Sequence, residues 1–150
     1  MIRAMFLLLL LATTASAQQK GWEKEWNETL AAAKKEETFA DFLLAIKRVN
    51  NIVPKTALPA AEPSLFQQDE EKNLSTDCSS MKTAVAPCIE RGDFTAAVKA
   101  VLLITPAINS FFDKVLVMDR REEIKLNRLS LLREIWETVA PVADFSRFQS

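Results

Sequence analysis

Two glycines, Gly21 and Gly92, are all that the 150 residues contain, and this scarcity limits the fold more than any other feature. Tight hairpin turns draw on residues that reach positive φ, which glycine does at least cost. A barrel or sandwich needs many such turns, so a helical chain is expected instead. At this length one hydrophobic core can bury about two-thirds of the chain's surface, without metals or many disulfides. The chain also has no His, which excludes a Ser-His-Asp or Cys-His arrangement, the commonest zinc sites and an imidazole relay. Its net charge is −1, so any polyanionic partner must be met by a local basic patch.

The chain divides on composition into three parts, 1–17, 18–37 and 38–150. Met1 to Ala17 has the form of a secretory signal: Arg3 is the basic start, Met5 to Ala12 is apolar, and Ala15-Ser16-Ala17 is a small-x-small cleavage site. The apolar run is too short to span a bilayer, so no membrane anchor is expected after cleavage before Gln18. Export would allow Cys78 and Cys88 to pair. On one continuous helix, however, ten residues separate their Cα atoms by roughly 15 Å, beyond the reach of a disulfide at about 7 Å. Both are read as small buried apolar residues.

Trp22, Trp26, Leu30 and Ala33 recur at helical spacing, and the period continues through Phe39, Phe42, Leu43, Ile46 and Val49 to Ile52 or Val53. This predicts one long helix, or two with a break near Glu36 to Thr38, where Thr38 would cap the second. Three prolines in Pro54 to Pro63 mark a surface loop, with Ser64-Leu65-Phe66 as a short apolar turn. A helix is expected from Asp69 to Arg91, kinked before Pro87 and stopped by Gly92. Asp93 would cap the next helix, Phe94 to Ile104. Thr105 would cap another, with Pro106 in its first position and its body from Ala107 to about Val117. After a polar turn, Ile124, Leu126, Leu129, Leu132, Ile135, Trp136 and Val139 give the stripe of a last helix, about Glu122 to Val139. The sum is an all-α bundle of five or six helices with no strand.

No phosphate-cradling Gly-rich loop occurs. Glu70-Glu71 and Glu122-Glu123 stand at expected helix starts, where the helix dipole explains them. No catalytic or metal-ligating residue and no cofactor is therefore assigned. The basic residues cluster instead. Lys47 and Arg48, with Asn51, lie toward the end of the first long helix, and Arg120, Arg121, Lys125 and Arg128, with Asn127, form a second group. Such groups can contact phosphates and base edges of RNA. They also admit plainer readings: Lys47 and Arg48 can complete a helix dipole, and Lys125 and Arg128 can pair with Glu122 or Glu123. Of Phe111 and Phe112, one is expected in the core, and the other can stack on a base.

Several stretches together resemble a known family, the DALR-type anticodon-binding domain at the C-terminus of the bacterial glycyl-tRNA synthetase beta subunit. They are residues 42–52, Gly92-Asp93-Phe94 with Ala96-Ala97, residues 106–118 with Phe111-Phe112-Asp113-Lys114-Val115-Leu116-Val117-Met118, Asn127-Arg128-Leu129-Ser130-Leu131-Leu132, and Ala143-Asp144-Phe145-Ser146. The resemblance implies a helical domain over residues 38–150 that docks on the anticodon stem-loop of glycine tRNA in the cytoplasm, with Lys47, Arg48, Asn51, Lys125 and Arg128 as RNA contacts. It also implies that ATP and glycine are handled by the synthetase alpha subunit, a possible partner, and that this chain is a recognition module with no catalysis of its own. Gly21-Trp22-Glu23-Lys24-Glu25-Trp26 through Leu30 to Glu36, after the signal-like segment, resembles instead the start of an ABC-importer solute-binding protein. That points to a gene fusion near Glu36 to Thr38. Alternatively, the chain is an exported helical domain for protein–protein contact in the periplasm.

Overall fold

The computed structural model describes residue 28 and residues 37–142. The chain divides into two units, Met1–Glu36 and Glu37–Ser150, and all the described residues except residue 28 fall in the second. The signal-like segment, the Trp22–Ala33 stripe and the Ala143–Ser146 stretch lie outside the described residues.

The described residues form five α-helices: α1 (Glu37–Ile52), α2 (Asp69–Glu90), α3 (Phe94–Leu102), α4 (Thr105–Lys114) and α5 (Glu122–Val139), with a 3-10 turn at Pro63–Leu65. No strand occurs among them, as expected for an all-α domain. α2 packs against α3, α4 and α5, and α1 against α4, α5 and α3. One face of each helix supplies the core. Phe39, Phe42, Ile46 and Val49 come from α1, Leu74, Cys78, Met81 and Val85 from α2, Val98 and Val101 from α3, Ile108 and Phe111 from α4, and Leu131, Leu132, Ile135 and Val139 from α5. Burying each large side chain contributes roughly 1.5–3 kcal/mol, and this covered apolar area drives the helices together.

The punctuation follows the residues closely. α2 runs as one helix through Pro87, and its end at Arg91 is closed by Gly92 at φ +69°, the one positive φ among the described residues. Gly92 donates its N–H to Ile89 O at 3.0 Å, and Asp93 N reaches Cys88 O at 2.8 Å. The Asp93 carboxylate then accepts the N–H of Ala96 at 3.0 Å and so caps α3. Cys78 and Cys88 are both buried and both free.

Three details depart from expectation. α3 ends at Leu102 and α4 begins at Thr105 itself. The Thr105 hydroxyl donates backward to Leu102 O at 2.8 Å, so it closes α3 and leaves the start of α4 without a side-chain cap. α4 also stops at Lys114, three residues short, because Val115 is extended at φ −104°, ψ 124°. In that extended stretch Val115 and Val117 are buried while Leu116 and Met118 are exposed. Residues two apart on a helix point to opposite sides, so only the extended backbone buries both valines.

Candidate nucleic-acid interface

α1 presents one exposed face, polar apart from Leu44. Leu44, Lys47, Arg48 and Asn51 are spaced three and four residues apart, all are exposed, and their opposite face carries Phe42, Ala45, Ile46 and Val49 into the core. Together with Asp41 and Asn109 of α4 they line a groove of about 530 Å3. Neither basic residue lies in the last turn of α1. The helix dipole acts over that turn only, so it does not account for them.

Arg48 is held in place by an aromatic ring. Its guanidinium carbon lies 4.3 Å from the centroid of Phe112, a cation–π contact. Phe112 in turn meets Phe111 edge-on, with centroids 5.9 Å apart and planes at 80°. Phe111 is completely buried and Phe112 half-buried. One phenylalanine of the pair thus anchors α4 in the core, and the other carries an arginine rather than an open ring face. The planar guanidinium is the surface left for stacking.

The second basic group is arranged differently. Arg128, expected beside Lys125 as a phosphate contact, is 3% exposed. Its Nε donates to Glu71 Oε1 at 2.9 Å, and its Nη1 donates to Leu116 O at 2.8 Å and Asp119 Oδ2 at 3.1 Å. Glu71, expected on a solvated helix start, is 1% exposed, and its other oxygen accepts the N–H groups of Gln67 and Gln68 at 2.8 and 2.9 Å. Asn127 is also buried: its amide donates to Glu62 O at 3.0 Å and accepts Glu62 N–H at 2.6 Å. Arg128 and Asn127 therefore tie α5 to the start of α2 and to the loops at Glu62 and Leu116, with no polar group turned outward. Both depart from the surface reading for the same reason, which is that they fall on the inner face of α5.

That placement has a sequence signal. Ile124, Arg128, Leu131 and Ile135 are spaced by four, three and four, and Glu71, Leu74, Cys78, Met81, Val85 and Cys88 by three and four. Opposite charges at stripe positions of two helices mark a buried pair. Lys125 pairs with Glu122 at 2.6 Å. Arg121 grips both oxygens of Asp119, at 3.0 and 3.1 Å, which holds that carboxyl well below the usual range. Arg120 is exposed. Of the eight residues read as contacts, Lys47, Arg48 and Asn51 share one groove.

A second groove, which sequence reasoning passed over, opens on the other side of Asn51. It holds about 700 Å3 between Asn50, Asn51, Val53, Pro54 and Lys55 on one side and Arg133, Trp136 and Glu137 of α5 on the other. Arg133 builds its wall by donating to Pro54 O at 2.9 Å and Thr56 O at 2.7 Å while its Nε pairs with Glu137 at 2.9 Å. The contributing segments are about eighty residues apart, so no local pattern reveals it.

No group of three or more His, Cys, Asp or Glu side chains among the described residues could hold a metal ion. Residues 42–142 match the model of the DALR anticodon binding domain. The chain is similar to the glycine–tRNA ligase beta subunit of Thermodesulfovibrio yellowstonii, 39% identical over 120 residues that make up 80% of this chain and 18% of that protein. It is similar to the same subunit of Neisseria gonorrhoeae at 35% over 121 residues, 79% and 18% of the two chains, and of Thermotoga neapolitana at 30% over 130 residues, 83% and 19%. The chain thus spans about a fifth of the length of these relatives. With a fold that is helical and without strands among the described residues, and a family match running from Phe42 in α1 to Val142 beyond α5, the chain belongs to the DALR anticodon binding domain family.

Proposed function

We propose that this chain is a tRNA-binding module that receives the anticodon stem-loop of glycine tRNA, the recognition part of a glycine–tRNA ligase beta subunit without the chemistry of aminoacylation. The observation that carries the reading is the exposed row Lys47, Arg48 and Asn51 on α1, with the Arg48 guanidinium over the Phe112 ring beside an open groove. Two cations supply phosphate contacts, the guanidinium plane supplies a stacking surface, and the Asn51 and Asn109 amides match base edges. The family match and the glycine–tRNA ligase relatives support the choice of RNA and of the tRNA. Arg120, Arg121 and Lys125 contribute a weaker outer field, since two of the three are already paired. Work in the cytoplasm, where tRNA is found, and association with a synthetase alpha subunit belong to the same proposal; ATP is used elsewhere in that assembly.

A titration of the full chain with a labelled glycine anticodon stem-loop tests this. Binding is expected to be preferred over an unrelated stem-loop, and Lys47→Glu with Arg48→Glu is expected to weaken it at least tenfold while the thermal midpoint stays within a few degrees. Equal binding of the two stem-loops, or full affinity in the double variant, overturns the reading.

A further inference from the structure

We infer that the groove between the end of α1 and α5 is a second nucleotide subsite, in which the Trp136 indole stacks on an unpaired base next to the one at Arg48. The inference rests on the tRNA-binding reading and extends it to Trp136 on α5.

Trp136 is half-buried on α5 and lines the groove, while its neighbour Ile135 is fully buried. Its indole N–H donates to no group among the described residues, and no buried side-chain nitrogen or oxygen among them lacks a partner, so the indole nitrogen is not a donor sealed in the core. Asn50 and Asn51 line the same groove, both exposed, with side-chain amides that form no hydrogen bond among the described residues. Amides pair with base edges because each carries a donor and an acceptor at fixed spacing. Lys55 adds an exposed cation at the rim. The remaining charges, Arg133 and Glu137, cancel each other at 2.9 Å. An aromatic ring, amides without a hydrogen bond among the described residues and a lysine without an ion pair among them are the elements of a site for single-stranded nucleic acid.

The groove is also built to keep its shape. Arg133 fastens the backbone at Pro54 and Thr56, and Val53 N–H continues the helical bonding of α1 to Val49 O at 3.1 Å. Asn51 lines both grooves. Because the two grooves share Asn51, the occupant that fits the second is an unpaired nucleotide of the same loop.

The chain has three tryptophans, so Trp22→Phe with Trp26→Phe leaves Trp136 as the sole emitter. In that full-length background, a glycine anticodon stem-loop is titrated while anisotropy of the RNA and emission of Trp136 are read together. Quenching of Trp136 on the same isotherm as the anisotropy is expected. Trp136→Leu is expected to weaken binding by about tenfold or more and Trp136→Phe by much less, as for loss of one stacked base. Asn50→Ala, which removes no hydrogen bond among the described residues, is expected to weaken binding several-fold and guards against a Trp136 variant that fails to fold. Stem-loop binding with unchanged Trp136 emission and full affinity in Trp136→Leu and Asn50→Ala overturns the subsite while leaving the tRNA reading intact. Equal quenching by inorganic polyphosphate overturns it as well, since no base is then stacked. No stem-loop binding at all brings down both proposals.

Discussion

Arg128 shows how one side chain can be read two ways. A guanidinium removed from water is costly, and here the cost is offset by four acceptor contacts to Glu71, Asp119 and the carbonyl of Leu116. Removing one partner leaves the other charge buried alone. Arg128→Met is therefore expected to destabilise the domain by about 3–5 kcal/mol, read from urea unfolding, and to lower stem-loop affinity only as far as the folded fraction falls. A direct phosphate contact would instead lower affinity in the folded protein. Cys78 offers a second test. Burial pushes its thiol up to about 11. A group whose pKa is raised on folding contributes stability below its unfolded value, about 8.5, and that contribution fades as pH rises toward 11. In a Cys88→Ala background the thiol is expected to stay unreactive to a disulfide reagent at pH 8 until the chain unfolds, and the unfolding midpoint to drop between pH 8.5 and about 11. Reaction of the native protein at the rate of the denatured one would contradict this.

At the scale of elements, most boundaries follow from local chemistry. Gly92 ends α2 and Asp93 opens α3 because a positive φ and a short carboxylate are local requirements met by single residues. A Cβ on Gly92 would meet no atom within 4 Å, so only the φ of +69° opposes it. Gly92→Ala is accordingly expected to cost about 1–2 kcal/mol without changing the fold, measured by thermal and urea unfolding. A neutral substitution would show that the turn relaxes out of the positive-φ region. Helix existence, the long α2 and the bounds of α5 were legible for the same local reason. The end of α4 was not. Val115 to Val117 continue a helical composition, and only a core waiting for two valines on one side draws them into extended form. Thr105 was misread on similar grounds: a hydroxyl beside a proline suits a cap, and whether it turns forward or back depends on how α3 finishes.

On the scale of the molecule, charge sets the expectation for binding. Residues 38–150 carry 14 Lys+Arg and 15 Asp+Glu, so the domain as a whole does not attract RNA, and under the proposed function affinity rests on the α1 face. With two to four phosphate contacts, the logarithm of affinity should fall against the logarithm of salt with a slope of about −1.5 to −3. The two grooves that meet at Asn51 come from α1, α4 and α5, which are distant in the chain, and the core brings them together.

By itself the sequence determined the helical class, the helix ends at Gly92 and Asp93, the apolar stripes and the anticodon-binding family, because these depend on neighbours within a turn or on patterns carried along the chain. Tertiary structure decided which polar residues face outward. Glu71 and Arg128 look like surface charges until two stripes 57 residues apart close on each other, and Lys47 and Arg48 stay exposed because they lie on the side of α1 away from its buried stripe. A side chain's charge is a local property, whereas its burial depends on every element packed around it.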